Sequence, residues 1–414
     1  MPLPERGRAW SELKGELASF KKDDVPWREG RLPVYVFFLD EATEAVAADA
    51  YRMYMVENGL GSGRAFKSLA RMERELIDNG LALFNAPAGA DGSFASGGTE
   101  SLFLAVHAAR ERGRARLKVT ERPNAVIPHT AHASLDKHGH YLGVEMRRIP
   151  VKGDFRADVA AMAAAIDERT VMLVGSAPGY THGVFDPIPE LGALAKARGL
   201  WLHVDGCWGG FLTPFAAAEG WPAPPFDLGI EGVSSLSADL HKYGMTAKGA
   251  SLFLVRDGAD KRFHAFESSN WPRGAYATST FLGTRPGGAV AAAWAVTNFL
   301  GQAGYRRSAR ITMQTRDALC AGIDAIDGLE VVKPQESSIV LYRSTDAALD
   351  INAVAQAMGA RGWFVGRATA PVAIHLALNP VHKDMVANYL ADLRAVAAVV
   401  RASGATAKAE QRTY

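Results

Sequence analysis

Residues 237–249 read SADLHKYGMTAKG, and within that run Lys242 follows a histidine and precedes Tyr243-Gly244. A lysine amine placed after small residues can condense with an aldehyde to a Schiff base and exchange that bond for a substrate amine. By itself His241-Lys242-Tyr243 says little, because most lysines are solvated surface charges. Three groups upstream change the reading. Ser96-Gly97-Gly98-Thr99-Glu100-Ser101 precedes LFLAVHAARERGR, a strong helical pattern. Glycines that open a helix let backbone N–H groups close on a phosphate, the helix dipole adds favourable charge, and Thr99 or Ser101 offers a hydroxyl. A loop with a Ser/Thr cap is the plainer alternative. His203-Val204-Asp205 ends an apolar run, which puts Asp205 at a strand end. A carboxylate there can pair with a protonated pyridine nitrogen and keep the ring an electron sink, or it can simply cap the turn before Gly209-Gly210. His132, in HTAHASLDKHGHY, follows a short strand and offers an imidazole to stack on a flat ring. Its neighbours His129, His138 and His140 lack acidic or cysteine partners at zinc spacing, so no metal is expected. Taken in order, the glycine-threonine loop, the histidine, the aspartate and the lysine are the four parts needed to hold pyridoxal 5'-phosphate.

These side chains need a scaffold that brings them to one edge. The chain has 414 residues, 48% hydrophobic and 22% charged, enough for a large domain and a smaller one. Net charge is +2, which argues for neither nucleic acid nor a membrane surface as partner. The first twenty residues hold no apolar signal core, and no apolar run is long enough to span a bilayer. Two cysteines, Cys207 and Cys320, make no disulfide framework, so the cytoplasm is the expected location. Short β-rich runs at Asn124–Pro128, Val171–Ser176, Trp201–Val204, Ser234–Ala238 and Ala250–Val255 alternate with Ala-rich helical segments. That alternation predicts an α/β fold with a mostly parallel sheet, whose ligands bind at strand carboxyl ends. The expected divisions are an N-terminal helical segment over 1–60, a large cofactor domain over 61–300 and a small α+β domain over 301–414. A helix is predicted over 41–57, ending at Asn58-Gly59, and another over Tyr305–Ile326. The pieces GLEVVKP, SSIVLYR and VAIHLALNP, with an Ala-rich helix between the last two, read as βαβ-like material.

The longer motifs are SGGTESLFLA, HASLDKHGHYLGV, GSAPGYTHGVFDPIPELGALAKARGLWLHVDGCWGGFLTPF, SLSADLHKYGMTAKGASLFLVR and NWPRGAYATSTFLGTRPGG. With them the chain resembles, from about Val34 to His382, the group II decarboxylase family of fold-type I pyridoxal phosphate enzymes (aspartate aminotransferase-like), and within it the sphingosine-1-phosphate lyases. The resemblance implies that Lys242 carries the cofactor, Asp205 meets the pyridine nitrogen, His132 stacks on the ring, and Gly98, Thr99 and His241 hold the phosphate. It implies a homodimer with shared active sites, in which a hydroxyl from a Gly-Ser-Arg motif reaches the neighbouring phosphate. Here that motif is Gly283-Thr284-Arg285, so Thr284 keeps the hydroxyl. For a substrate phosphate the resemblance implies Lys248 and Tyr35. The histidine that follows Asn-x-Leu in the lyases is Gly61 here, a lost donor that weakens the case for a buried anion. Two reactions fit. One is retro-aldol cleavage of a 2-amino-3-hydroxy substrate to an aldehyde and an amine, with His182 or Lys242 handling protons. The other is amino-acid decarboxylation, with Arg367 as the carboxylate anchor. A non-catalytic relative is disfavoured by intact Lys242, Asp205 and His132.

Overall fold

The computed structural model describes residues 2–118 and 121–408. Seven strands form the main sheet: β1 (Asp91–Ala95), β2 (Asn124–Pro128), β3 (Glu145–Ile149), β4 (Thr170–Ser176), β5 (Trp201–Asp205), β6 (Val233–Ala238) and β7 (Ser251–Val255). Their spatial order is β1-β7-β6-β5-β4-β2-β3. The strands from β3 to β6 pair in parallel, and β7 runs antiparallel to both β6 and β1. Every residue of β2, β4, β5 and β7 is buried, so these strands read as continuous apolar runs rather than alternating ones. Because β7 reverses direction twice over, β1 points the same way as the parallel strands. Its carboxyl end, and the glycine loop after it, therefore reach the edge where β5 and β6 end.

Helices cover the sheet. Gly98–Arg112 follows β1 and buries Leu102, Leu104, Ala105 and Ala108; Ile188–Arg198 starts after Pro187 and stops at Gly199, whose φ is +66°. Glu41–Met53 packs along a long helix, Gly287–Asp324. That long helix begins well before the predicted Tyr305, and it breaks at Gly301, where φ is +52° and ψ −171°, a conformation glycine permits at little cost. The predicted 41–57 helix ends earlier, at Met53. Asn58 instead caps a 3₁₀ turn, Gly59–Gly61, by accepting the Leu60 N–H at 2.9 Å. The helix Trp10–Phe20 buries none of its side chains.

Beyond the long helix lies a four-stranded antiparallel sheet, β10-β11-β13-β12, of β10 (Leu329–Val331), β11 (Ile339–Ser344), β12 (Gly366–Thr369) and β13 (Val372–Ala377). It replaces the expected βαβ arrangement: β12 and β13 are a hairpin, so no parallel crossover is needed. The sheet has its own core around Val340, Tyr342, Leu376 and Tyr389, with Tyr342 and Tyr389 sharing a 2.6 Å hydrogen bond. A short hairpin, β8 (Phe266–Ser268) with β9 (Tyr276–Thr278), precedes the long helix and leaves Phe266, Trp271 and Phe281 exposed. Among the described residues no helix is long and apolar enough to cross a membrane.

Candidate active site

A cavity of about 350 Å³ opens at the carboxyl edge of the sheet, lined among others by Gly98, Thr99, His132, Asp205, His241 and Lys242. Six of the expected residues, distant in sequence, are thus one site. Gly98 is the first residue of its helix, so free backbone N–H groups face the cavity mouth. A Cβ on Gly98 would stand 2.8 Å from Asp239 Oδ2 and 2.9 Å from Cys207 Sγ, and one on Gly97 3.1 Å from His241 Cε1. Only glycine lets backbone and side chains come this close, which is what a phosphate cradle requires. His241 accepts the Ala250 N–H on Nδ1 at 3.2 Å, which leaves its proton on Nε2, the donor an anion needs. Burial pushes this imidazole down to about 4, so it serves as a neutral donor.

Asp205 closes β5, is 8% exposed, and accepts the Cys207 N–H at 3.0 Å on one oxygen. His132 accepts the Ser134 N–H on Nδ1 at 3.2 Å, which fixes its orientation, and burial lowers its pKa. A neutral flat ring beside Asp205 suits stacking better than an imidazolium would. Lys242 keeps a quarter of its side chain accessible, and its Nζ lies 3.1 Å from Asp239 Oδ2 and 5.6 Å from the Trp208 ring. The donors, the glycine cradle and the carboxylate at the strand end fit pyridoxal 5'-phosphate. When bound, it supplies the electron sink for a bond broken at the substrate's α-carbon.

The other expected residues fall elsewhere. Lys248 and Tyr35 line a neighbouring, more apolar cleft of about 600 Å³ with Phe37, Phe38, Tyr51 and Met245. Lys248 donates to the carbonyls of Tyr35 (3.0 Å) and His241 (3.3 Å), so one peptide separates its ammonium from the polar cavity. Thr284 lies outside the cavity lining of its own chain, where it accepts a hydrogen bond from Asn58 at 3.2 Å. Gly61 belongs to the same pair of loops, and a Cβ there would meet the Phe66 ring at 3.3 Å. His182 is not brought to the cavity: it stacks on Phe155 at 4.2 Å, and its Nε2 bonds Ala370 O, between β12 and β13, at 2.7 Å. Arg367 sits on β12, with Nη1 3.5 Å from Asn352 Oδ1, also outside the lining. Asp239, Tyr180 and Trp208 line the cavity although no role was read for them in sequence. For Asp239 the signal was present, a carboxylate three residues before the lysine. Among the described residues no group of three or more His, Cys, Asp or Glu side chains is placed to hold a metal.

Sheet order and cavity together define a fold-type I pyridoxal phosphate enzyme. Residues 67–345 match the pyridoxal-dependent decarboxylase conserved domain, and the chain belongs to that family. It is 35% identical to the sphingosine-1-phosphate lyase of Oryza sativa, over 97% of this chain and 75% of that protein. The sphingosine-1-phosphate lyase structure from Burkholderia pseudomallei superposes with a TM-score of 0.92 at 33% identity, covering 97% of this chain and 94% of that one. A probable L-aspartate decarboxylase of Pyrococcus abyssi is 30% identical over 95% of this chain and 99% of its own. The protein is therefore a pyridoxal phosphate-dependent lyase.

Proposed function

We propose that the protein cleaves the Cα–Cβ bond of a phosphorylated 2-amino-3-hydroxy substrate, giving an aldehyde and phosphoethanolamine. The observation that carries the reading is a second cation, Lys248, which bonds the His241 carbonyl beside a cavity that already holds Lys242, Asp205 and His132. It supports an anionic group at the end of the substrate remote from the reacting carbon. The apolar cleft that Lys248 borders offers room for hydrocarbon.

In this reading Lys242, once the substrate amine had displaced it from the cofactor, would as a free amine take the proton of the β-hydroxyl. The Cα–Cβ electron pair stays with Cα, the β-carbon leaves as the aldehyde, and Lys242 returns the proton to Cα. With the cofactor bound, Asp205 would pair with the ring nitrogen and His132 would stack on the ring. Decarboxylation, the reaction named for the Pyrococcus relative, would need a carboxylate anchor, and Arg367 stands outside the cavity in this chain. We also place two copies of the chain together, with Thr284 of each serving the other's phosphate cradle. Its position outside its own cavity, beside exposed Phe281, supports that arrangement. A cytoplasmic location is supported by two buried free cysteines.

The test is mass spectrometry of products after sphinganine 1-phosphate is added to the loaded protein. The expected result is a long-chain aldehyde with phosphoethanolamine, absent from Lys242→Ala. Carbon dioxide from an amino-acid panel, without aldehyde from the sphingoid phosphate, would overturn the reading in favour of decarboxylation.

A further inference from the structure

Asp239 is the least expected group in the cavity. It follows the last residue of β6, its side chain is 1% exposed, and no backbone N–H reaches either carboxylate oxygen, leaving the Ser251 hydroxyl and Lys242 as its side-chain donors. Asp205, by contrast, has the Cys207 N–H. A bare buried carboxylate is costly unless a cation answers it. Two groups are close: Lys242 Nζ at 3.1 Å and His241 Nε2 at 3.6 Å. His241 is a poor answer, because full protonation would break its Nδ1 bond to the Ala250 N–H. Lys242 is therefore the counter-charge.

We propose that Asp239 is a positioning residue that holds Lys242 as an ammonium in the unloaded pocket, so that attachment of the cofactor aldehyde is coupled to release of a proton from this pair. The coupling follows from the chemistry. An ammonium has no lone pair. Condensation requires that one proton leave Nζ for solvent; the freed amine then forms the C=N bond as the carbonyl oxygen departs as water. The groups facing Lys242 agree in sign. Asp205 lies on the β5 side and Asp239 on the β6 side, while the Cys207 thiol and His132 are neutral and Lys248 opposes from the loop beyond. Burial works against charge on Lys242, yet Asp239, helped by Asp205, outweighs it and holds the amine above the usual lysine range. Next to an anion cradle, the same carboxylate repels an entering phosphate until Lys242 or a proton screens it.

The proposal rests on Lys242 being the attachment point, which borohydride reduction and peptide mapping test separately. The experiment follows the growth of visible absorption when pyridoxal 5'-phosphate is added to cofactor-stripped protein across a pH series. Wild type is expected to load faster with each step up in pH. Asp239→Asn is expected to load about tenfold faster or more near neutrality, with its profile displaced to lower pH, since one pKa unit is tenfold in free amine. Coincident profiles for the two proteins would overturn the proposal. Competitive acetylation of stripped wild type with acetic anhydride keeps the test open should the variant not fold. Lys242 is expected to reach half-reactivity at higher pH than the surface lysines, and an equal or lower midpoint would overturn the proposal just as directly.

Discussion

Two aspartates, each all but buried, lie by the ends of β4 and β6, on either side of β5, and behave oppositely. Asp186, 3% exposed, accepts the Ala157 N–H at 2.8 Å and the Ser176 N–H at 2.7 Å, tying the loop after β4 to the chain before it. Asp239, 2% exposed, accepts no such bond and faces Lys242. Burial pushes Asp186 up to about 6 in spite of its two backbone donors. Burial pushes Asp239 the same way, but Lys242 and His241 reverse the shift and leave it lowered. A contacting cation, not a pair of amide donors, decides the charge of a buried carboxylate here. The saturated aspartate builds a loop, and the unsaturated one is left to hold a side chain that reacts.

That contrast breaks first at Lys242. Lys242→Ala is expected to lose about 10⁴-fold or more in turnover and to shed the cofactor on gel filtration. Retained turnover would remove the site from this cavity. Asp205→Ala comes next, with a fall in kcat of about 10²–10³-fold at little change in KM; an effect confined to KM would place Asp205 on the substrate rather than the ring. Lys248→Met is expected to raise KM for a phosphorylated substrate about 10–100-fold with kcat nearly unchanged. Burial, with Lys242 beside it, pushes Lys248 down to about 8. It is charged below that pH and neutral above, so wild-type KM for the phosphorylated substrate rises as pH passes through about 8. The rise should vanish in Lys248→Met, and a flat wild-type profile would take Lys248 off the substrate anion.

Asp186→Ala sharpens the comparison from its other side. Two buried N–H groups lose their acceptor, a cost of about 1–3 kcal/mol or somewhat more, read as a drop of several degrees in Tm. The cofactor's visible absorption should persist, and its loss would mean that Asp186 reaches the site after all. Because the folded pKa of Asp186 is raised, the part of its contribution that comes from its protonation is complete below its ordinary value and is lost as pH rises through about 6, while its two accepted N–H bonds remain.

Much of this was legible in the residues. The β2 run was read to its exact ends, and the runs for β4, β5, β6 and β7 to within a residue, because strands buried on both faces are largely apolar stretches; β6, VSSLSA, keeps the size and polarity of small serines instead. β1 and β3 were not read as strands. DGSFA carries a glycine and an aspartate, and EMRRI is a charged edge strand. His132, Asp205, His241 and Lys242 were legible as a site because they end or follow strands visible in the sequence, and Gly98 and Thr99 because glycines open a helix there. His182 and Arg367 were chosen by residue type and neighbourhood alone, and tertiary contacts with Ala370 and Asn352 carry them elsewhere. Asp239 went unread although it stands three residues before Lys242, because its burial against that amine, with no backbone donor of its own, is set by packing.

The most direct test of the account is chemical capture of the lysine. The loaded protein is reduced with borohydride, digested and mapped by mass spectrometry. The account predicts the reduced cofactor's added mass on the peptide bearing Lys242 and on no other. The same mass on Lys248, or an unmodified Lys242 in protein that had shown the visible absorption, would contradict it.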